Sequence, residues 1–171
     1  MNSLVRPKLF LILFWSLFVL PANADLQSFH SASLDALEKQ NLTQAWLLVL
    51  WSVDCPPCQK ELDMLGKLTA QSGADLAVEL VSTDAVDLTN EVSRALKRHQ
   101  LDEMRTWQYA ARNKTRIQYS IDEQWRGEMP RSYFYQPNGL RCPVSGTLNK
   151  DTVLAWFDAE HHDCKTLRHS R

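Results

Sequence analysis

From Ser31 onward, apolar residues fall into runs whose spacing switches between the periods of helix and strand. "SASLDALEKQN" (Ser31–Asn41) predicts a short amphipathic helix with Ser33 as its N-cap. "AWLLVLWSV" (Ala45–Val53) is apolar without a break, as expected of a central strand buried on both faces. "PPCQKELDMLGKLTAQ" (Pro56–Gln71) opens on proline and sets Leu62, Leu65 and Leu68 along one side, which predicts a helix. "ADLAVELVSTD" (Ala74–Asp84) is a second buried strand, and "DLTNEVSRALKRHQ" (Asp87–Gln100) an amphipathic helix with Val92 and Leu96 facing inward. A short strand near Trp107 and a helix from Ala111 to Tyr119 follow. "RSYFYQPNGLRCPVSGTL" (Arg131–Leu148) reads as two strands about a "PNG" turn, and a closing helix starts near Asn149. This alternation predicts the α/β class: a helix-covered sheet, parallel in part, to which the hairpin adds antiparallel edge strands.

The first residues stand outside this pattern. Arg6 and Lys8 precede an apolar block, Leu9 to Leu20, and a small-residue "ANA" ending at Ala24. The block is short for a membrane span, which needs about 20 residues. Residues 1–24 are therefore expected to be a signal peptide, with an uncleaved anchor as the alternative, and 25–171 one domain. Taking Arg6 and Lys8 from the 19 Lys+Arg leaves 17 against 20 Asp+Glu, a net charge of −3 for the exported part. With no basic run, nucleic acid and membrane surfaces are not expected as partners. Cys55, Cys58, Cys142 and Cys164 all lie in the exported part, where an oxidising space turns cysteine pairs into disulfides.

Chemistry concentrates in "LVLWSVDCPPCQKEL" (Leu48–Leu62). A thiol where a strand turns into a helix feels the positive end of the helix dipole, which favours the reactive thiolate. Cys58 lies one turn on and can attack a mixed disulfide formed at Cys55. A purely structural bridge would close so short a loop that it stabilises little. Zinc ribbons need two closely spaced couples, and Cys142 and Cys164 are far from each other and from the first pair. Cys142 opens the last strand and Cys164 follows the last helix. An antiparallel strand–helix pair brings those ends together, so a structural disulfide is expected there, with free thiols in a redox relay as the alternative.

"LLVLWSVDCPPCQKEL" resembles the active-site region of exported thioredoxin-fold proteins, the TlpA/ResA-like thiol–disulfide reductases. "GEMPRSYFYQPNGLRCPVSGTLNKDTVLAWF" is similar to that family's cis-proline loop, hairpin and last helix, and Asp87–Tyr119 to its insertion. The resemblance implies a three-layer sandwich with a central mixed sheet. It implies catalytic roles for Cys55, Cys58, Glu61 and the cis-proline Pro130, and substrate contact by Met129 and Pro130. Trp51 and Trp125 would line the groove beside them. It further implies a periplasmic monomer that needs no cofactor or metal, acts on disulfides of exported proteins and is recharged by a membrane thiol-transporter of the DsbD/CcdA kind. Asp54 stands in place of the family's tryptophan and Asp63 in place of its proline. "GEMPRS" differs from the Gly-Ala-Pro-Glu-Thr-like loop of the cytochrome c maturation members, which argues against a dedicated haem-maturation role.

Redox direction depends on how well the Cys55 thiolate is stabilised. Pro56 and Pro57 supply no N–H, and Asp54 and Glu61 bring negative charge. The helix dipole and Arg131 act the other way. The balance predicts a reductant, nearer about −270 mV than about −120 mV. The alternative from another class is a copper chaperone or copper-tolerance protein, since soft thiolates suit Cu(I). "EHHDC" (Glu160–Cys164) offers two histidines, but His161 and His162 are adjacent and point apart on a helix, so a solvated helix end is the simpler reading.

Overall fold

The computed structural model describes residues 26–72, 76–110, 114–158, 163–165 and 167. The signal segment, the end of the closing helix and both adjacent histidines lie outside them. Among the described residues the strands are β1 (Gln27–Phe29), β2 (Trp46–Trp51), β3 (Val78–Ser82), β4 (Thr106–Tyr109), β5 (Arg131–Tyr135) and β6 (Arg141–Ser145). The α-helices are α1 (Ser33–Gln40), α2 (Pro56–Ser72), α3 (Thr89–Arg98), α4 (Lys114–Ile121) and α5 (Lys150–Asp158).

The strands form one mixed sheet in the order β1-β4-β3-β2-β5-β6. The first four run parallel, and β5 pairs antiparallel with both β2 and β6. All six residues of β2 are buried because the strand is covered on both faces, as its unbroken apolar run requires. Leu47, Val49 and Trp51 point to one side, where Leu62 and Leu65 of α2, Leu96 of α3 and Trp156 of α5 pack on them. Trp46, Leu48 and Leu50 point to the other, against Leu37 of α1 and Ile121 of α4. Trp46 stacks on Tyr135 with ring centroids 4.0 Å apart. The result is the three-layer sandwich expected from the sequence.

Three details differ from expectation or add to it. β1 is an extra strand. Its three residues pair with Trp107, Gln108 and Tyr109, so β4 sits between β1 and β3 as an internal strand. Ser33 is the first residue of α1 rather than its cap: Ala32 holds the cap position, and the Ser33 hydroxyl instead accepts the N–H of His30. Gly66 lets α2 pass close to the residue after α3, where a Cβ would overlap the His99 carbonyl oxygen.

Candidate active site

β2 ends at Trp51, and the chain turns through 52–54 into α2. Cys55 occupies the N-cap position. Its carbonyl accepts the N–H of Gln59 (3.1 Å), and its Sγ accepts that of Cys58 (3.2 Å). Sulfur thus does what a serine or aspartate oxygen does at an ordinary helix start, taking up an N–H that has no intrahelical partner. Pro56 and Pro57 fit the first helical positions because they have no N–H to leave unpaired. Cys55 and Cys58 are joined by a disulfide. Cys55 is 9% exposed and Cys58 0%, so the first cysteine of the pair lies nearer the surface.

Glu61 lies one turn beyond Cys58 and is fully buried. Its carboxylate accepts the Ser132 hydroxyl (3.1 Å) and the backbone N–H of Leu148 (2.9 Å). Burial pushes its pKa up to about 7, more than those two hydrogen bonds can offset. It can therefore exchange a proton near neutral pH.

The Met129–Pro130 peptide bond is cis. Arg131 pairs with Leu50, which puts Pro130 level with Trp51, at the end of the sheet that carries Cys55. Met129 is half-buried and touches the cores on both sides of the sheet. The segment before it is tied down: Trp125 donates its indole N–H to the Glu128 carbonyl (2.9 Å), and Gly146 donates to the Pro130 carbonyl (3.0 Å).

Two expectations need correction here. Trp51 is 1% exposed and Trp125 5%, so neither offers an open groove wall: Trp51 ends the central strand and packs within the core. Arg131 does not lend its charge to Cys55. Its guanidinium is bound to Asp122 (2.8 Å) and Glu128 (3.2 Å) and lies over the Tyr133 ring. Burial pushes the Asp122 carboxyl up, but the Gln124 N–H, Arg131 and Tyr133 outweigh it and hold the pKa below the ordinary value.

Asp84, which no motif in the sequence singles out, is built into the turn before Cys55. It is 2% exposed and follows β3. It accepts the hydroxyls of Ser52 (2.7 Å) and Ser82 (2.7 Å) and the backbone N–H of Val53 (3.0 Å). On the helix side, the Gln59 amide donates to the carbonyls of Ser52 (3.3 Å) and Val53 (3.4 Å), and its oxygen meets His99 Nε2 at 3.0 Å. Cys142 and Cys164 form a second disulfide, joining β6 to the segment after α5. Among the described residues, no three His, Cys, Asp or Glu side chains converge as a metal site would require.

A mixed sheet in this order, with a CxxC pair at the start of α2 and a cis-proline beside it, is the thioredoxin fold. No family model and no curated protein matches the chain. Solved structures do. One is a secreted Mycobacterium tuberculosis disulfide oxidoreductase homologous to E. coli DsbE, 17% identical, with TM-score 0.55 over 70% of this chain and 84% of that one. Another is a thioredoxin-related protein from Neisseria meningitidis serogroup B, 21% identical, with TM-score 0.53 over 75% and 87%. A third is a thiol:disulfide interchange protein of the thioredoxin family from Chlorobium tepidum TLS, 13% identical, with TM-score 0.55 over 70% and 83%.

Proposed function

We propose that the protein is an exported thiol–disulfide oxidoreductase that reduces disulfides in other exported proteins. The observation that carries this reading is the asymmetry of the pair: Cys55 caps α2 nearer the surface, bonded to a sealed Cys58 with the buried Glu61 one turn behind. In the reduced protein, the Cys55 thiolate attacks one sulfur of a substrate disulfide. A mixed disulfide forms, and the other substrate sulfur leaves as a thiolate. Cys58 then loses its proton, for which Glu61 is the acceptor, and attacks Cys55 Sγ. The second substrate sulfur leaves, and the protein is left with the Cys55–Cys58 disulfide. Two electrons have passed from protein to substrate.

Two features support the reducing direction. Pro56 and Pro57 leave Cys58 N–H as the donor to Cys55 Sγ, and Arg131 is occupied by two carboxylates. A thiolate so modestly stabilised makes the reduced form a good electron donor. Recharging by a membrane thiol-transporter of the DsbD/CcdA kind, periplasmic location behind a cleaved 1–24 signal, action as a monomer and docking of substrate along Met129 and Pro130 belong to the same proposal. Equilibration with glutathione, with the thiol state read by mass, tests it. The expected potential is nearer about −270 mV than about −120 mV, and reduced protein should reduce insulin catalytically. A potential more positive than that of glutathione overturns the reductase reading. Stoichiometric Cu(I) binding without insulin reduction would favour the copper-chaperone alternative instead.

A further inference from the structure

We infer that Asp84 is a positioning residue for Cys55, acting through Ser52 and Val53 to fix the turn that presents the sulfur at the start of α2; the inference rests on the thiol–disulfide reading above. The pairing of β2 with β3 ends at Trp51 and Ser82, and the Thr83 N–H and hydroxyl already close that end by donating to the Trp51 carbonyl (2.8 and 3.3 Å). The sheet therefore does not need Asp84 to stay registered. What Asp84 adds begins where the ladder stops. Oδ1 takes the Ser52 hydroxyl, and Oδ2 takes the Val53 N–H together with the Ser82 hydroxyl. The Asp84 N–H in turn donates to Ser82 Oγ (3.1 Å), which aims the carboxylate across at the neighbouring strand's turn.

The turn is gripped from its other side as well. Gln59, in the first turn of α2, donates to the Ser52 and Val53 carbonyls. Cys55 donates its own N–H to the Ser52 carbonyl (3.3 Å), and Asp54 donates to Ser52 Oγ (3.4 Å). Ser52 is thus the residue through which the sheet, the helix and Cys55 meet. A buried carboxylate is an expensive way to fill space, and it is retained where rigid donors must be held in one arrangement. The Val53 N–H is such a donor, because unlike a hydroxyl it cannot turn to a new partner. Displacing this turn by a fraction of an ångström moves Cys55 Sγ relative to the Cys58 N–H and the helix axis, which changes both its thiolate character and its line of attack.

The test uses the reduced full-length domain and three variants, Asp84→Ala, Asp84→Asn and Ser52→Ala. The pH midpoint of Cys55 alkylation by iodoacetamide is read by mass, and the rate constant of Cys55 with oxidised glutathione is measured alongside thermal stability. Asp84→Ala is expected to slow the reaction about tenfold and move the alkylation midpoint upward. Ser52→Ala, which loses the bond to Asp84 and the acceptor of the Asp54 N–H but leaves Asp84 its Val53 N–H, should do so by about threefold, and it carries the test if Asp84→Ala does not fold. Asp84→Asn should stay within about twofold of wild type, since its carbonyl can still take the Val53 N–H and its amide can face Ser52 Oγ. A lowered melting temperature with midpoint and rate unmoved would make Asp84 a strut of the fold and overturn the inference. Equal downward shifts of the midpoint in Asp84→Asn and Asp84→Ala would also overturn it, because charge rather than position would then be responsible. If wild type fails to reduce insulin while the order of the variants holds, the functional reading falls and the positioning role stands.

Discussion

Replacing Glu61 by glutamine separates the acid–base character of this residue from its packing. The carboxylate has two partners, Ser132 Oγ and the Leu148 N–H, and an amide can satisfy both, accepting from Leu148 and donating to Ser132. What the variant loses is ionisation. Folding raises the Glu61 pKa from an ordinary value near 4.5 to about 7, because burial disfavours the charged form. A group raised in the fold contributes fully below its unfolded value, and that contribution is lost as pH rises through the folded value. A rise of this size amounts to about 3 kcal/mol once the pH is well above neutral, most of which falls between about pH 5 and about pH 8. Urea unfolding of the oxidised protein at those two pH values, followed by tryptophan fluorescence, measures it. Wild type should lose stability on going from acid to alkaline conditions, and Glu61→Gln should lose less by about that amount. Glu61→Gln should also resolve mixed disulfides more slowly at neutral pH, having no carboxylate to accept the Cys58 proton. A variant whose stability falls with pH as steeply as wild type would refute this account of Glu61.

Two further predictions follow from charge and covalent topology. Arg131→Ala leaves the poorly exposed Asp122 carboxylate with the Gln124 N–H and the Tyr133 hydroxyl but no cation bound to it, and should cost about 1–3 kcal/mol at neutral pH by urea unfolding. Because the Asp122 pKa is depressed in the fold, its contribution is present above the ordinary value and lost as pH falls through the folded one, so wild type should weaken below about pH 4 and the variant, which keeps the Gln124 N–H and Tyr133 but not Arg131, less steeply. Serine at both Cys142 and Cys164 opens a link between residues 22 apart and should cost about 2–4 kcal/mol, while insulin reduction at a permissive temperature stays at the wild-type rate. Loss of reductase activity in that folded variant would place the second disulfide in an electron relay.

The parts of the molecule most legible in the sequence are those where local pattern and tertiary role coincide. The unbroken run of β2 announces a strand covered twice, and the leucines of α2 announce one buried face. The step from one to the other places Cys55 at a helix start. What escaped is non-local. β1 has only three residues and gains its identity from β4, about eighty residues later, so no local period marks it. Ser33 has the chemistry of a cap, but the chain enters α1 one residue earlier. Arg131 follows Pro130 and looks available to a thiolate, yet Asp122 and Glu128 reach it across a loop. Asp84 ends the stretch read as the second buried strand, and only the pairing of β2 with β3 shows that it faces the turn before Cys55. The signal is an acidic residue just past the carboxyl end of a buried parallel strand, the end at which α/β proteins place their sites.

The division of labour between the two sulfurs is open to one direct measurement. Cys58→Ala and Cys55→Ala proteins are reduced, mixed with an excess of a disulfide-bonded protein substrate, and analysed by non-reducing electrophoresis and mass. With Cys55 at the start of α2 the more exposed of the two and Cys58 sealed, Cys58→Ala should accumulate a lasting adduct bonded through Cys55 and released by dithiothreitol, and Cys55→Ala should form none. Adducts forming equally in both variants, or in neither, would contradict the claim that Cys55 attacks and Cys58 resolves.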